Sequence, residues 1–423
     1  MQLAPFGEVL RDASLPRGQK RAPLGIAERN MTSAETGYLL IADITGYTRF
    51  LTQSELDHAR GILEELFSAL LKELKSPFAL SNVQGDAILA HARTRTVADG
   101  RHVLDVVEAL YCAFAERLEH IVRNTTCACN ACRNASSLDL KLFVHHGVYV
   151  EQAIAGRHEL GGSEVIFIHR LMKNRITAAT GVRAYAAFTE AAQTAIELPE
   201  FFAPARQHVE QLEQFGDVTL RIVDMSPIWE ARKGQRAILI ADGDRAFDDI
   251  SVELPVPPDR AWHFLTDPDH RGDWVEDVVK FTRSGAIGGR VQVGTVDHCA
   301  HGDGSTTIFT VVDWRPLERV TYHIKLPLGA YCPFSVSVSP TTTGCRVTVR
   351  TGLAIGPDPL RQAIARFVGR RLAKGLREQQ VKWLSNLLEL ARGDAAHTPA
   401  RTAHAATPQE VLKTAIESRL SAG

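Results

Sequence analysis

The sequence lacks several features that would have assigned it quickly. No apolar run approaches the roughly 18 residues a membrane-spanning helix needs. The N-terminal stretch has no hydrophobic core of the signal-peptide kind, so secretion is not indicated. Excess charge is missing too: 48 Lys and Arg stand against 49 Asp and Glu, which leaves no broad basic footprint for nucleic acid. Cysteine is scarce, and three of the seven crowd into Cys127-Ala-Cys129-Asn-Ala-Cys132. That spacing suits a metal or redox role in a reducing compartment better than a disulfide framework. The expected location is the cytoplasm.

What remains is ordinary globular material, 45% hydrophobic and 23% charged, in a chain long enough for two or three domains. Residues 1–35 carry three prolines and little periodicity and are expected to be poorly ordered. A dense first domain is expected over 36–229, a linker over 230–247, and a second domain over 248–392. A low-complexity linker rich in Ala, Thr and His, 393–406, precedes Thr407-Pro408-Gln409-Glu410, a capping box that opens a terminal helix within 407–423.

In the first domain, the apolar run Tyr38–Ile41 reads as a buried strand, and Glu55–Lys75 as an amphipathic helix. Strands over 78–83 and 87–90 flank the tight turn Gln84-Gly85-Asp86. A second helix spans 98–123, and a long strand starts at Leu138. This order predicts an α+β fold of ferredoxin-like type. The second domain opens with a half-buried strand over 250–254 and a short helix over 259–265. Strands follow over 290–298, 306–314, 319–325, 333–339 and 345–351, and a long helix runs from Pro359 to about Ala391. That pattern predicts a helix-grip fold with a ligand cavity between sheet and final helix.

Two places can carry chemistry. Asp43 ends the first strand, just before Thr45-Gly46-Tyr47-Thr48, and Asp86 sits beside Gly85 in the hairpin turn. Two carboxylates brought together repel unless a cation lies between them, and turn N–H groups can meet phosphate. The plainer alternative makes Asp43 a helix cap and Asp86 a turn residue. The cysteine cluster offers three thiolates to one ion, and Zn²⁺ prefers four soft ligands. Cys112, His120, His145 and His146 are the candidates for the fourth.

Asp43-Ile-Thr-Gly-Tyr-Thr, Gly85-Asp86, the segment His145–Gly156 and the segment Gly161–Arg170 resemble, in order, the core of class III adenylate/guanylate cyclases. The resemblance covers about residues 36–229. It implies a homodimer with active sites between two such domains. It also implies two Mg²⁺ or Mn²⁺ ions on Asp43, Asp86 and the Ile44 carbonyl, with nucleoside triphosphate held by Thr45, Gly46, Tyr47 and Thr48. Arg170 falls on the position of the transition-state arginine, while the position of its usual Asn partner is Ile166. The base-selecting pair falls on Asn82 and Glu159, which favours neither adenine nor guanine. The cysteine insert followed by Leu138-Asp-Leu-Lys-Leu-Phe is similar to a cyclase-like bacterial family of unassigned function.

Leu254–Pro268, Asp273-Trp274-Val275, Trp314–Glu318 and Gly344–Thr348 resemble the SRPBCC/START-like superfamily of polyketide cyclases and lipid-transfer proteins. This implies a hydrophobic small molecule as ligand. Two functions are therefore expected to compete. One is a regulator or sensor joining a degenerate cyclase site to a ligand-binding domain. The other is a non-enzymatic binding protein whose cyclase fold serves as a zinc-stabilised dimerisation module.

Overall fold

The run Gly37–Ile44 is buried residue after residue, which requires a strand covered on both faces. A computed structural model places it so; it describes residues 34–397, apart from 125–126, 128, 155–156, 235–236 and 287–288. The expected disordered start and the capping-box helix fall in 1–33 and 398–423, outside the described residues, although Ala34 and Glu35 already belong to the first strand.

The elements of the first half are β1 (Ala34–Thr45), α1 (Tyr47–Thr52), α2 (Leu56–Glu73), β2 (Ala79–Gln84), β3 (Ala87–Arg93), α3 (Gly100–Asn124), α4 (Asn130–Asn134) and β4 (Asp139–Ile154). There follow β5 (Arg157–Gly161), α5 (Ser163–Leu171), α6 (Ile176–Thr180), β6 (Tyr185–Thr189), α7 (Glu190–Ile196), α8 (Pro199–Phe202), β7 (Arg206–Leu212), β8 (Gly216–Asp224) and α9 (Ser226–Lys233). The sheet order is β2-β3-β1-β4-β6-β8-β7, with β5 paired to β4. Its first four strands are the ferredoxin-like arrangement, extended by a parallel step from β4 to β6. Alternation along β1 divides the core. Tyr38, Leu40, Ala42 and Ile44 face α2 and α3. Leu39 and Ile41 face α5, and Asp43 shares their parity.

The second half comprises β9 (Ile250–Leu254), α10 (Pro258–Thr266), α11 (Arg271–Trp274), β10 (Val278–Ser284), β11 (Val296–His301), β12 (Thr306–Arg315), β13 (Arg319–Lys325), β14 (Tyr331–Pro340), β15 (Cys345–Thr351) and α12 (Pro359–His397). All neighbours in the order β10-β11-β12-β13-β14-β15-β9 are antiparallel, and the last half of α12 buries Leu384, Leu387 and Ala391. The helix-grip expectation holds. Two details differ. The strand expected over 290–298 begins only at Val296, because Arg290 leaves the second half to reach α3, and β10 replaces it at the sheet edge.

That reach joins the halves. The Arg290 guanidinium is buried between Asp105 and Glu108, donating to Glu108 Oε2 at 3.0 Å and also to Asp105. Burial opposes its charge, but Glu108 and Asp105 outweigh burial and raise its pKa. Arg101 donates across the same junction to Asp267 at 2.6 Å. Replacing Arg290 with Met should leave the buried Asp105 and half-buried Glu108 carboxylates facing each other, at a cost of about 3–5 kcal/mol. A denaturant midpoint within experimental error of wild type would contradict this placement.

Candidate functional site

Asp43 is 9% exposed at the end of β1, in register with Ala87 on one side and Lys141 on the other. The β2–β3 hairpin reverses in two residues because Gly85 takes φ 65°, which costs glycine little. The reversal leaves Asp86 half-buried, and its carbonyl accepts from Ile44 N–H at 2.9 Å. The two aspartates are thus tied side by side. Burial first, and then the neighbouring Asp86 charge, push the Asp43 carboxyl up to about 6, against a smaller opposing pull from Lys141.

Just beyond, Gly46 sits at φ 86° and starts α1, and a Cβ there would lie 3.2 Å from the Ser137 carbonyl. Two expected site residues carry buried oxygens with no partner among the described residues, Thr45 Oγ1 and Asn82 Oδ1. Unpaired buried acceptors or donors are uncommon. The Asp43 and Asp86 carboxylates are oxygen donors of the kind that suit a divalent cation.

Other expected positions are dispersed. Glu159 is exposed on β5, and Arg170 is exposed near the end of α5. Ile166, on the same helix, is 55% exposed and offers only hydrocarbon. Where the sequence motif enters α5, a part-buried polar pair appears instead. His145 Nε2 lies 2.7 Å from Glu164 Oε2, and its Nδ1 lies 2.9 Å from Thr189 Oγ1. This fixes the base of α5 against β4.

The cysteine cluster closes on a histidine outside the four expected candidates. His58, in the first turn of α2, holds Nδ1 at 3.2 Å from Cys129 Sγ and 3.6 Å from Cys127 Sγ. The donor atoms of His58, Cys127, Cys129 and Cys132 all lie within 4.8 Å of one another. Tetrahedral zinc with thiolate bonds of about 2.3 Å requires ligand separations of about 3.8 Å, so the four can hold a metal with small adjustments. The expected fourth ligands are elsewhere: Cys112 is buried, His145 is engaged as above, and His146 meets Thr94 at 2.8 Å. His120 lies on α3 and is not part of the group. The Cys132 N–H above all, then His58 and the other thiols, draw the Cys129 thiol down to about 7, toward the thiolate a metal needs. Glu55, next to α2, accepts from Ala131 N–H at 3.0 Å, so the insert is pinned to α2 and to the Gly46 turn together.

In the second half, Arg271 is buried with its guanidinium 4.5 Å from the Trp274 ring centre and 5.4 Å from that of Phe309. The space left beside it is only about 10 Å³. A roomier cleft of about 600 Å³ opens between the two halves, walled by Phe201, Ile222, Val293, Trp314 and Pro316.

Known proteins match the two halves separately. Residues 249–389 match the family model described as polyketide cyclase / dehydrase and lipid transport. The second half is a START-like domain. Residues 63–180, which include the cysteine insert, match a model described as protein of unknown function (DUF2652). An uncharacterised protein of Mycobacterium tuberculosis is 35% identical over 63 residues, 15% of this chain and 30% of that protein. The chain thus spans under a third of that relative. Among solved structures, the guanylyl cyclase Cya2 aligns at 14% identity over 45% of this chain and 93% of its own, with a TM-score of 0.37. The adenylyl cyclase CyaB from P. aeruginosa aligns at 14% over 45% and 95%, with a TM-score of 0.31. Protein MLL2253 from Mesorhizobium loti aligns at 18% over 34% and 96%, with a TM-score of 0.27.

The raised Asp43 pKa has a checkable sign. The folded carboxyl holds its proton more tightly than the unfolded one, whose ordinary value is 3.8, so Asp43 erodes stability as pH rises from about 4 to 6. At pH 7 without metal, Asp43→Asn should stabilise the protein by about 2–3 kcal/mol, and by nothing near pH 3. Equal stability of the two proteins at pH 7 would show that Asp43 is not strained.

Proposed function

We propose that the chain is a cytoplasmic regulator in which a divergent cyclase-like domain binds a divalent cation and a nucleoside triphosphate, linked to a START-like domain that takes a hydrophobic small molecule. The observation that carries this is the pairing of Asp43 with Asp86 beside the Gly46 turn. Mg²⁺ or Mn²⁺ would be held by both carboxylates and the Ile44 carbonyl, and would neutralise the triphosphate facing Thr45–Thr48. Asn82, with its unpaired oxygen, would meet the base, and Glu159 would flank it. Arg170 stands outward on α5, where it would serve the site of a second copy in a homodimer. For the apolar ligand, the cleft between the halves offers a volume within the roughly 300–1,000 Å³ usual for small-molecule sites.

Ile166 favours binding over turnover. The position of its side chain calls for a polar group that orients the ribose, and isoleucine has none to give. Losing one such group costs on the order of 10²-fold in rate. A second role of the fold, as a zinc-stabilised module, is supported by the His58–Cys127–Cys129–Cys132 group.

With Mn²⁺, wild type should bind ATP or GTP, and Asp43→Ala should lose that binding in calorimetry. Cyclic product should be scarce, and Ile166→Asn should raise it by about 10²-fold. Nucleotide binding that is unaltered in Asp43→Ala would refute the site. Metal analysis should find about one zinc per chain, reduced at least tenfold by His58→Ala. Equal zinc in His58→Ala and wild type would exclude His58 as a ligand.

A further inference from the structure

The long helix α12 is built inside out along its first half. Gln362, Ala365, Gly369, Ala373 and Leu376 are half-buried against the body of the protein, and most of them are small; a Cβ at Gly369 would lie 3.5 Å from the Ala354 methyl. The bulky apolar residues point the other way. Leu360, Ile364, Phe367, Val368 and Leu372 recur at the spacing of one helix face, and they are exposed, Leu360 at 72%, Phe367 at 59% and Leu372 at 64%. At the start of this face, the β13–β14 turn presents Leu328, also exposed, and Gly329 in that turn approaches Pro357. Exposing several large apolar side chains on one helix face is costly unless something covers them.

Charge indicates what does. From Pro359 to Arg377 there is no acidic residue, while Arg361, Arg366, Arg370, Arg371, Lys374 and Arg377 give six cations. The Arg371 guanidinium lies 4.6 Å from the Phe367 ring centre, so a cation already rides on the apolar face. Four of the others, Arg366, Arg370, Lys374 and Arg377, project by helical spacing to one flank of the apolar face. A second copy of the same face would bring six cations against six, which disfavours self-association. An anionic lipid surface satisfies both features: acyl chains for the apolar face and headgroup charge for the flank.

We propose that the first half of α12 is an interfacial helix that docks the protein on anionic bilayer surfaces, without spanning them. This goes beyond the nucleotide reading and does not depend on it. The full chain can be sedimented with vesicles of phosphatidylcholine alone or mixed with phosphatidylglycerol. Wild type should pellet with the anionic vesicles, not with the neutral ones, and less as salt rises. Replacing Arg366, Arg370 and Lys374 together with Gln should lower partitioning about a hundredfold, at about fivefold per charge. Phe367→Gln with Leu372→Gln should abolish it while leaving the melting temperature unchanged, because both side chains are exposed. Failure to pellet with anionic vesicles at low salt would overturn the proposal, as would equal pelleting of wild type and both variants. A dimer that dissociates in the Phe367/Leu372 variant, with no vesicle binding by wild type, would also overturn it and assign the face to a second copy.

Discussion

Two carboxylates held side by side where water is scarce need either a proton or a cation, and this requirement organises the first half of the chain. Asp43 reaches its position because β1 is the strand flanked by both β3 and β4, so its end is fixed from two sides. Asp86 reaches it because a two-residue turn, with Gly85 in the left-handed region, closes β2 onto β3. β1 could not slip by one residue without sending Asp43 to the α2–α3 face, where its charge would meet the apolar core. The local repulsion is tolerated because the fold around it is otherwise consistent.

The same turn is supported from below. The cysteine insert packs its Ser137 carbonyl against Gly46 and its Ala131 N–H against Glu55, and His58 of α2 completes the thiol group. A metal there would lock α2, α4 and the Gly46 turn into one unit, so occupancy of the thiol site and shape of that turn would be mechanically linked. On the opposite side, Arg290 and Arg101 tie α3 to the START-like domain through buried or half-buried carboxylates. A ligand entering the cleft beside Arg290 would therefore press on α3, whose buried face packs under β1.

Much of this was legible before any coordinates. Tyr38–Ile41 is apolar at every position, as a doubly covered strand requires, while the pairing of Asp43 with Gly85-Asp86 was suggested by the family resemblance, spacing alone leaving a helix cap and a turn residue open. Cys345–Thr351 and Arg319–Lys325 alternate cleanly and form strands with those bounds. What escaped was non-local. His58 sits on the polar side of α2, some 70 residues from the thiols it approaches, and no periodicity connects them. Val291 and Val293 imitate strand alternation, but the Arg290 ion pair to α3 holds that stretch out of the sheet. The strand β10 was hidden because Val279 faces solvent at its edge. On α12 the apolar stripe was visible, but its direction was not. Which face of a helix packs inward is decided by the partner surface, and here that surface admits Ala365, Gly369 and Ala373.

The central claim is that Asp43 and Asp86 share a cation. Anomalous diffraction at the manganese edge, from crystals grown with Mn²⁺ near neutral pH, tests it most directly. The account predicts an anomalous peak within bonding distance of both carboxylates, absent from crystals of Asp43→Asn. A fully ordered Asp43–Asp86 pair with no peak between them would contradict it.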